Sequence, residues 1–194
     1  MNTPVEHDRY YTYLKERSRL GAFYRNYYLY PKISSGLTGE VLDFGCGIGD
    51  FLKFFSGTVG ADINFHNVEY CRGLGLQAEL IENGRTPFDD CAFDSIVMDN
   101  VLEHIPQQEV NGVIHEVLRV LRPGGRLLVG VPGMKGYASD PDHKCFYSEE
   151  DLIALLAHYG CIKCRSFHMP LHMPWLENKL SQYCIYVLFE KSQG

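Results

Sequence analysis

The chain has 194 residues, enough for one domain whose core needs neither metal nor disulfide staples. A hydrophobic fraction of 45% with 22% charged residues is a globular balance and excludes a disordered or fibrous chain. A net charge of −6 argues against a nucleic-acid partner, because such affinity rests on a basic face against phosphates.

The N-terminal stretch MNTPVEHDRYYTYLKERS has no apolar centre and so does not read as a signal peptide. Residues 6–30 read as two helical segments, broken near Gly21 and stopped at Pro31. Seven of the thirteen tyrosines fall here (Tyr10, Tyr11, Tyr13, Tyr24, Tyr27, Tyr28 and Tyr30). Packing onto the domain is the simpler role for these rings; lining a ligand pocket is the alternative, since Tyr joins an apolar body to a polar tip. Residues 1–37 are therefore expected to form a helical cap, and 38–194 the main domain.

From residue 40 onward, short apolar runs alternate with helical stretches. Strands are expected over 40–44, 58–63, 77–81, 94–99 and 126–131. Helices are expected over 48–55 and 64–74. The clearest one is 108–121, where Val110, Val113, Ile114, Val117, Leu118 and Leu121 recur at helical spacing. Arg122-Pro123-Gly124-Gly125 ends it. This alternation implies a parallel sheet with helices on both faces. Ser148-Glu149-Glu150-Asp151 reads as a capping box opening a helix to about His158. Two strands then follow, 162–168 and 183–190, with no comparable helix between them, which suggests an antiparallel pair closing the sheet.

The seven cysteines are odd in number and lack framework spacing, which suits free thiols in a reducing compartment. Cys161 and Cys164 form a lone C-x-x-C on a strand, where positions three apart face opposite sides. The longest strongly apolar run, 184–189, is too short to span a bilayer. A cytoplasmic protein without membrane contact is the expectation.

Val41-Leu42-Asp43-Phe44-Gly45-Cys46-Gly47-Ile48-Gly49-Asp50 is a strand, a glycine turn and a helix start. Such a turn lets a ligand approach the backbone, and the helix amides then face its polar end. The dinucleotide fingerprint G-x-G-x-x-G needs a third glycine at residue 50 or 52, where Asp and Leu stand. Asp50 would also repel a pyrophosphate, so the zwitterionic end of an amino acid fits better. Asp62 closes the second expected strand, where a carboxylate can take both hydrogen bonds of a ribose diol; a helix N-cap is the alternative.

With these motifs together, the chain over about residues 38–160 resembles the class I S-adenosylmethionine (SAM)-dependent methyltransferases. Their first motif is D-x-G-x-G-x-G. The segment Thr86-Pro87-Phe88-Asp89-Asp90-Cys91-Ala92-Phe93-Asp94-Ser95-Ile96-Val97 is similar to their approach to strand four, with Thr86 for the usual Leu. Asn100-Val101-Leu102-Glu103-His104-Ile105 and Leu121-Arg122-Pro123-Gly124-Gly125-Arg126-Leu127 resemble the stretches after strand four and before strand five. The resemblance implies a doubly wound α/β fold with a seven-stranded sheet of order 3-2-1-4-5-7-6, strand seven antiparallel. It implies a SAM site in which Gly45, Cys46 and Gly47 approach the methionine part and Asp43 helps hold its ammonium. Asp62 and Ile63 would take the ribose side, Glu82 or Asn83 the adenine, and Asp99 and Asn100 the sulfonium side. S-adenosylhomocysteine would be the product.

An acceptor that must lose a proton is helped by a base, and His suits neutral pH. His104 and His143 are the two candidates; His104 also reads as a helix-start residue bonding locally. His143 lies in a loop after strand five, with Asp140 or Asp142 to orient its ring. No metal is expected, because Asp99 and Asn100 alone are too few ligands. The aromatic, Met and His residues of 168–181 suit a small organic acceptor, such as a phenolic or sugar-like metabolite methylated on O or N, or equally cover the core or a homodimer face. The rival readings are a catalytically silent SAM-binding scaffold and, against the glycine spacing, an NAD-dependent oxidoreductase. A protein or tRNA methyltransferase is disfavoured by the acidic balance.

Overall fold

A computed structural model describes residues 19–193. The first part of the helical stretch expected over 6–30, with Tyr10, Tyr11 and Tyr13, lies outside the described residues.

Seven strands form one sheet: β1 (Val41–Phe44), β2 (Val59–Asp62), β3 (Ala78–Leu80), β4 (Phe93–Asp99), β5 (Leu121–Pro132), β6 (Cys161–Met169) and β7 (Cys184–Lys191). Their order is β3-β2-β1-β4-β5-β7-β6. The first five pair in parallel, and β7 runs antiparallel to both β5 and β6. The sheet order implied by the motifs and the closing antiparallel pair are both as expected. β1 reads Val-Leu-Asp-Phe and is buried along its whole length, as a central parallel strand covered on both faces should be.

The helices are α1 (Arg19–Tyr24), α2 (Tyr30–Ser34), α3 (Asp50–Phe54), α4 (Phe65–Gly73), α5 (Gln107–Val120), α6 (Met134–Ser139) and α7 (Glu149–His158). Helix α5 sets Val110, Ile114 and Val117 fully into the core against β4 and β5, and α7 adds Leu152 and Leu156. Truncating one such side chain, Ile114→Ala, costs about 2–5 kcal/mol. On the other face Leu29, Tyr30 and Ile33 pack with Phe51 of α3 against Val97 and Leu128. The α7 capping box forms as read: the Ser148 side chain accepts from Asp151 N–H, and Asp151 accepts from Ser148 N–H.

The N-terminal segment corrects the sequence reading twice. The chain is helical across Gly21, and it passes Pro31 and ends at Ser34. A π-helical turn, Arg25–Leu29, lies between α1 and α2, with Tyr30 N–H bonding Arg25 O. That wider turn restarts the ladder just before Pro31, so Pro31 sits in a first turn where its missing N–H is not needed. Only Tyr30 of the four described tyrosines here is core; Tyr27 and Tyr28 are exposed.

β6 bulges between Lys163 and Arg165, leaving Cys161 buried and Cys164 exposed, so the two thiols do not share a face. After β3, Asn83 and Gly84 both have positive φ (52° and 74°) between the paired residues Glu82 and Arg85. Asn-Gly is the preferred sequence for such a tight reverse turn.

Candidate active site

The site is built at the carboxyl ends of β1, β2 and β4. Phe44 pairs with Ala61 and Asp43 with Val97, which brings Asp43, Asp62 and Asp99 to one edge. Between β1 and α3 the chain turns through Gly45, Gly47 and Gly49, all at positive φ. Gly45 has no substitute: at φ 84° a Cβ would lie 2.4 Å from Val101 Cγ2. Gly45 and Cys46 both donate their N–H to Ala61 O, which folds the turn back over β2.

Asp62 locks the same turn. Its Oδ2 accepts from Gly47 N–H at 2.8 Å and its Oδ1 from Asn64 N–H at 2.7 Å. The N-cap role belongs to the neighbour Asn64, whose side chain accepts from His66 N–H at the start of α4. Ile63, next to Asp62, is 57% exposed, an apolar side chain presented at the mouth of the turn.

Asp43 is buried, and burial followed by the charges of Asp99 and Asp62 holds its carboxyl well above the ordinary carboxylate range. Asp99 accepts at Oδ1 from Tyr186 OH (2.8 Å) and from Asn100 Nδ2 (2.9 Å). Asn100 has φ 55°, which Asn tolerates, and its N–H bonds Gly130 O at 2.9 Å. Gly130 leaves no room for a side chain either, since a Cβ there would lie 2.4 Å from the Tyr186 ring.

The helical segment from Arg19 to Ser34 closes one side. Arg25 pairs with Asp50 at 3.2 Å, tying the π turn to the start of α3. Burial raises the Tyr24 hydroxyl, as do the nearby Cys184 thiol and the charge of Asp99. Sequence reasoning missed Arg25 as a partner of Asp50 and Tyr186 as a partner of Asp99; neither carries a local motif.

A second group lies beside this one. Glu103 and His104 follow β4 in a 3-10 turn, Leu102–His104, and His143 comes from the loop after α6. The rings of His104 and His143 meet at 4.7 Å. The two candidate histidines are thus neighbours. The His143 ring is oriented by neither acid as its main partner: Nδ1–H donates to Tyr137 O at 2.8 Å and the ring stacks on Tyr137. Its Nε2 faces Glu103 Oε1 at 4.0 Å and Asp140 Oδ2 at 3.9 Å. Glu103 is 1% exposed, and burial pushes its carboxyl up to about 8. Burial and then the His143 ring lower His104. Glu103 was not singled out from the sequence, although its adjacency to His104 was the available signal. The remaining expected residues, Glu82 and Asn83, are exposed at their turn.

Residues 42–129 match the family model of a methyltransferase domain. Among curated relatives, a Homo sapiens protein named "Probable tRNA methyltransferase 9B" is 39% identical over 98 residues, covering 49% of this chain and 22% of that one. Methyltransferase GfsG of Streptomyces halstedii is 30% identical over 125 residues, 58% of this chain and 44% of that one. A solved SAM-dependent methyltransferase of Thermotoga maritima, titled a possible histamine N-methyltransferase, superposes with a TM-score of 0.74 at 18% identity, over 94% of this chain and 98% of that one. The chain thus carries a methyltransferase domain, on the fold of the solved SAM-dependent methyltransferases. The glycine turn 45–49 and Asp62 at the end of β2 both lie within the matched residues. The chain spans less than half the length of these two curated relatives. Among the described residues no helix is long and apolar enough to cross a membrane.

Proposed function

We propose that this protein binds SAM at the turn 45–49 and transfers its methyl group to an oxygen or nitrogen of a small organic molecule. The carrying observation is the convergence of Asp43, Asp62 and Asp99 on one glycine turn, two of them buried and the first pushed upward by burial and then by the charges of the others. Three carboxylates call for a cation. SAM brings two positive centres, an ammonium and a sulfonium, whereas a dinucleotide brings a diphosphate that these groups would repel. In this reading Asp43, Gly45, Cys46 and Gly47 hold the amino-acid end, Asp62 and Ile63 the ribose, Glu82 or Asn83 the adenine, and Asp99 and Asn100 the sulfonium side. Asp62 can serve the ribose while holding the turn, because each carboxylate oxygen has a second lone pair.

Methyl transfer is an in-line displacement on an already activated carbon, so alignment of the acceptor supplies most of the catalysis, about 7–11 kcal/mol. The described part of the expected cap, residues 19–37, serves as a wall beside this turn, tied to it by the Arg25–Asp50 pair. His143, with Nδ1 committed to Tyr137 O, presents Nε2 as the atom able to take an acceptor proton, and His104 lies against it. The net charge of −6 favours a small acceptor over an RNA.

Calorimetric titration with SAM, S-adenosylhomocysteine and NAD tests the cofactor. Saturable binding of the first two, and none of NAD, supports the proposal; no binding of SAM to folded protein refutes it. With SAM bound, a screen of phenols, sugars, amines and bulk tRNA for methyl incorporation decides the acceptor, and labelling of tRNA alone would overturn the small-molecule reading.

A further inference from the structure

The group Glu103, His104 and His143 is not needed to hold SAM, and its geometry is that of a ligand set. One ligand atom from each side chain lies within 4.8 Å of the other two. Glu103 is buried to 1% exposure, and among the described residues neither carboxylate oxygen has a hydrogen-bond partner. A buried carboxylate without partners costs several kcal/mol, so something should face it. His143 Nε2 is 4.0 Å from Glu103 Oε1, too far for a hydrogen bond. A direct ion pair therefore does not explain the arrangement.

A cation between them does. Bonds of about 2.0–2.2 Å from a divalent metal to nitrogen and oxygen span up to about 4.3 Å between two ligands. The His143 ring is set up as metal-bound imidazoles usually are, with one N–H given to a backbone carbonyl and the other nitrogen turned inward. His104 is likewise held, its ring bonding the backbone of Asp142. The loop itself is pinned to Glu103, whose carbonyl accepts from Lys144 N–H (2.7 Å) and Cys145 N–H (3.1 Å). Asp140 Oδ2, partly exposed, lies 3.9 Å from His143 Nε2.

We propose that Glu103, His104 and His143 form a binding site for one divalent transition-metal cation, with Asp140 or an exogenous oxygen completing its shell. Two imidazoles and one carboxylate suit Mn²⁺, Fe²⁺, Co²⁺ or Zn²⁺ better than Ca²⁺ or Mg²⁺, which favour all-oxygen sets. The sequence expectation of no metal counted Asp99 and Asn100 as ligands and did not weigh Glu103. In the function proposed above, and resting on that reading, the cation would take the acceptor oxygen and lower its pKa so that its proton passes to bulk water; His143 would then be a ligand in place of the base role given it above.

The test is metal binding by the full, untagged chain in the absence of SAM and acceptor. Protein stripped with EDTA and kept reduced is titrated with Mn²⁺ and Co²⁺ by calorimetry, with Mg²⁺ alongside. One equivalent of Co²⁺ should bind with visible ligand-field absorption and no near-ultraviolet thiolate band. Glu103→Gln and His143→Ala should each lose that equivalent, with circular dichroism and S-adenosylhomocysteine titration reporting that each variant is folded. Absence of a stoichiometric site, a thiolate band, or unchanged binding in both folded variants would overturn the proposal. A chain that binds metal but no S-adenosylhomocysteine would instead refute the cofactor reading and leave the metal site standing.

Discussion

Replacing Asp62 by Asn isolates what the buried carboxylate does for the cofactor turn. The carboxylate accepts one backbone N–H at each oxygen, from Gly47 at 2.8 Å and from Asn64 at 2.7 Å. Asn keeps one acceptor oxygen but turns an NH₂ toward the other N–H, so one charge-assisted bond is lost and a donor is left unsatisfied. Bonds to a charged group contribute about 1.5–3 kcal/mol each. For a chain of this size that is a drop in Tm of about 3–12 °C, at roughly 2–4 °C per kcal/mol. If the same turn must be closed for binding, affinity for S-adenosylhomocysteine falls about 10- to 150-fold. Thermal melts of the unliganded protein and calorimetry with the ligand read the two quantities separately. A variant with the parent Tm and a large affinity loss would mean that Asp62 serves the ribose and not the turn. A variant unchanged in both would refute the argument altogether.

Three further outcomes follow from the same structure. Gly45→Ala should abolish S-adenosylhomocysteine binding, because its Cβ falls 2.4 Å from Val101 Cγ2 at φ 84°; adding Val101→Ala should recover part of it in the same titration. Glu116 accepts from Thr86 N–H at 2.7 Å and Thr86 Oγ1 at 2.6 Å and pairs with Arg119; although its burial acts upward, the bonds from Arg119 and Thr86 hold its carboxyl at about 2. Its stabilisation is therefore present above the unfolded value near ~4.3 and is lost as pH falls toward 2, so Glu116→Gln should cost about 1–3 kcal/mol in urea melts at pH 6 and less at pH 3. Asp43 is held upward by burial and by Asp99 and Asp62, and a cationic ligand favours its charged form; SAM binding should release a proton and tighten as pH rises, an effect seen by calorimetry in two buffers of different ionisation heat and absent in Asp43→Asn.

The elements that could be read from residues are those fixed by local chemistry. The turn 45–49 is legible because positive φ at Gly45 demands a residue without Cβ. Helix α5 is legible because Val110, Ile114 and Val117 recur on one face. The N-terminal helix was misjudged where a non-local cause intervened. Gly21 and Pro31 are both breakers by propensity, yet packing of Leu29, Tyr30 and Ile33 onto the sheet outweighs that cost, and a π turn absorbs the missing N–H of Pro31. The partners of the site charges were hidden for a related reason. Nothing near Asp99 in sequence announces that Tyr186 will donate to it; the contact exists because β7 lies beside β5, with Tyr186 opposite Gly130.

The pairing of His104 with His143 is the instructive intermediate case. Neither residue sits in a metal-ligand spacing, and the chain between them includes a whole helix and strand, α5 and β5. Yet β4 and β5 are adjacent and parallel, with Asp99 opposite Gly130, so whatever leaves their carboxyl ends must emerge side by side. Once the order 1-4-5 is assigned, the segments 100–105 and 133–147 are neighbours by topology alone. Chemistry-bearing residues in both then become one site, and the buried Glu103 supplies the charge that makes two histidines worth more than a pair of packed rings. Candidate ligands in a parallel sheet are therefore better sought by strand adjacency than by sequence spacing. Applied here, that search asks for an acid and an imidazole after β4 and an imidazole after β5, and it returns Glu103, His104 and His143.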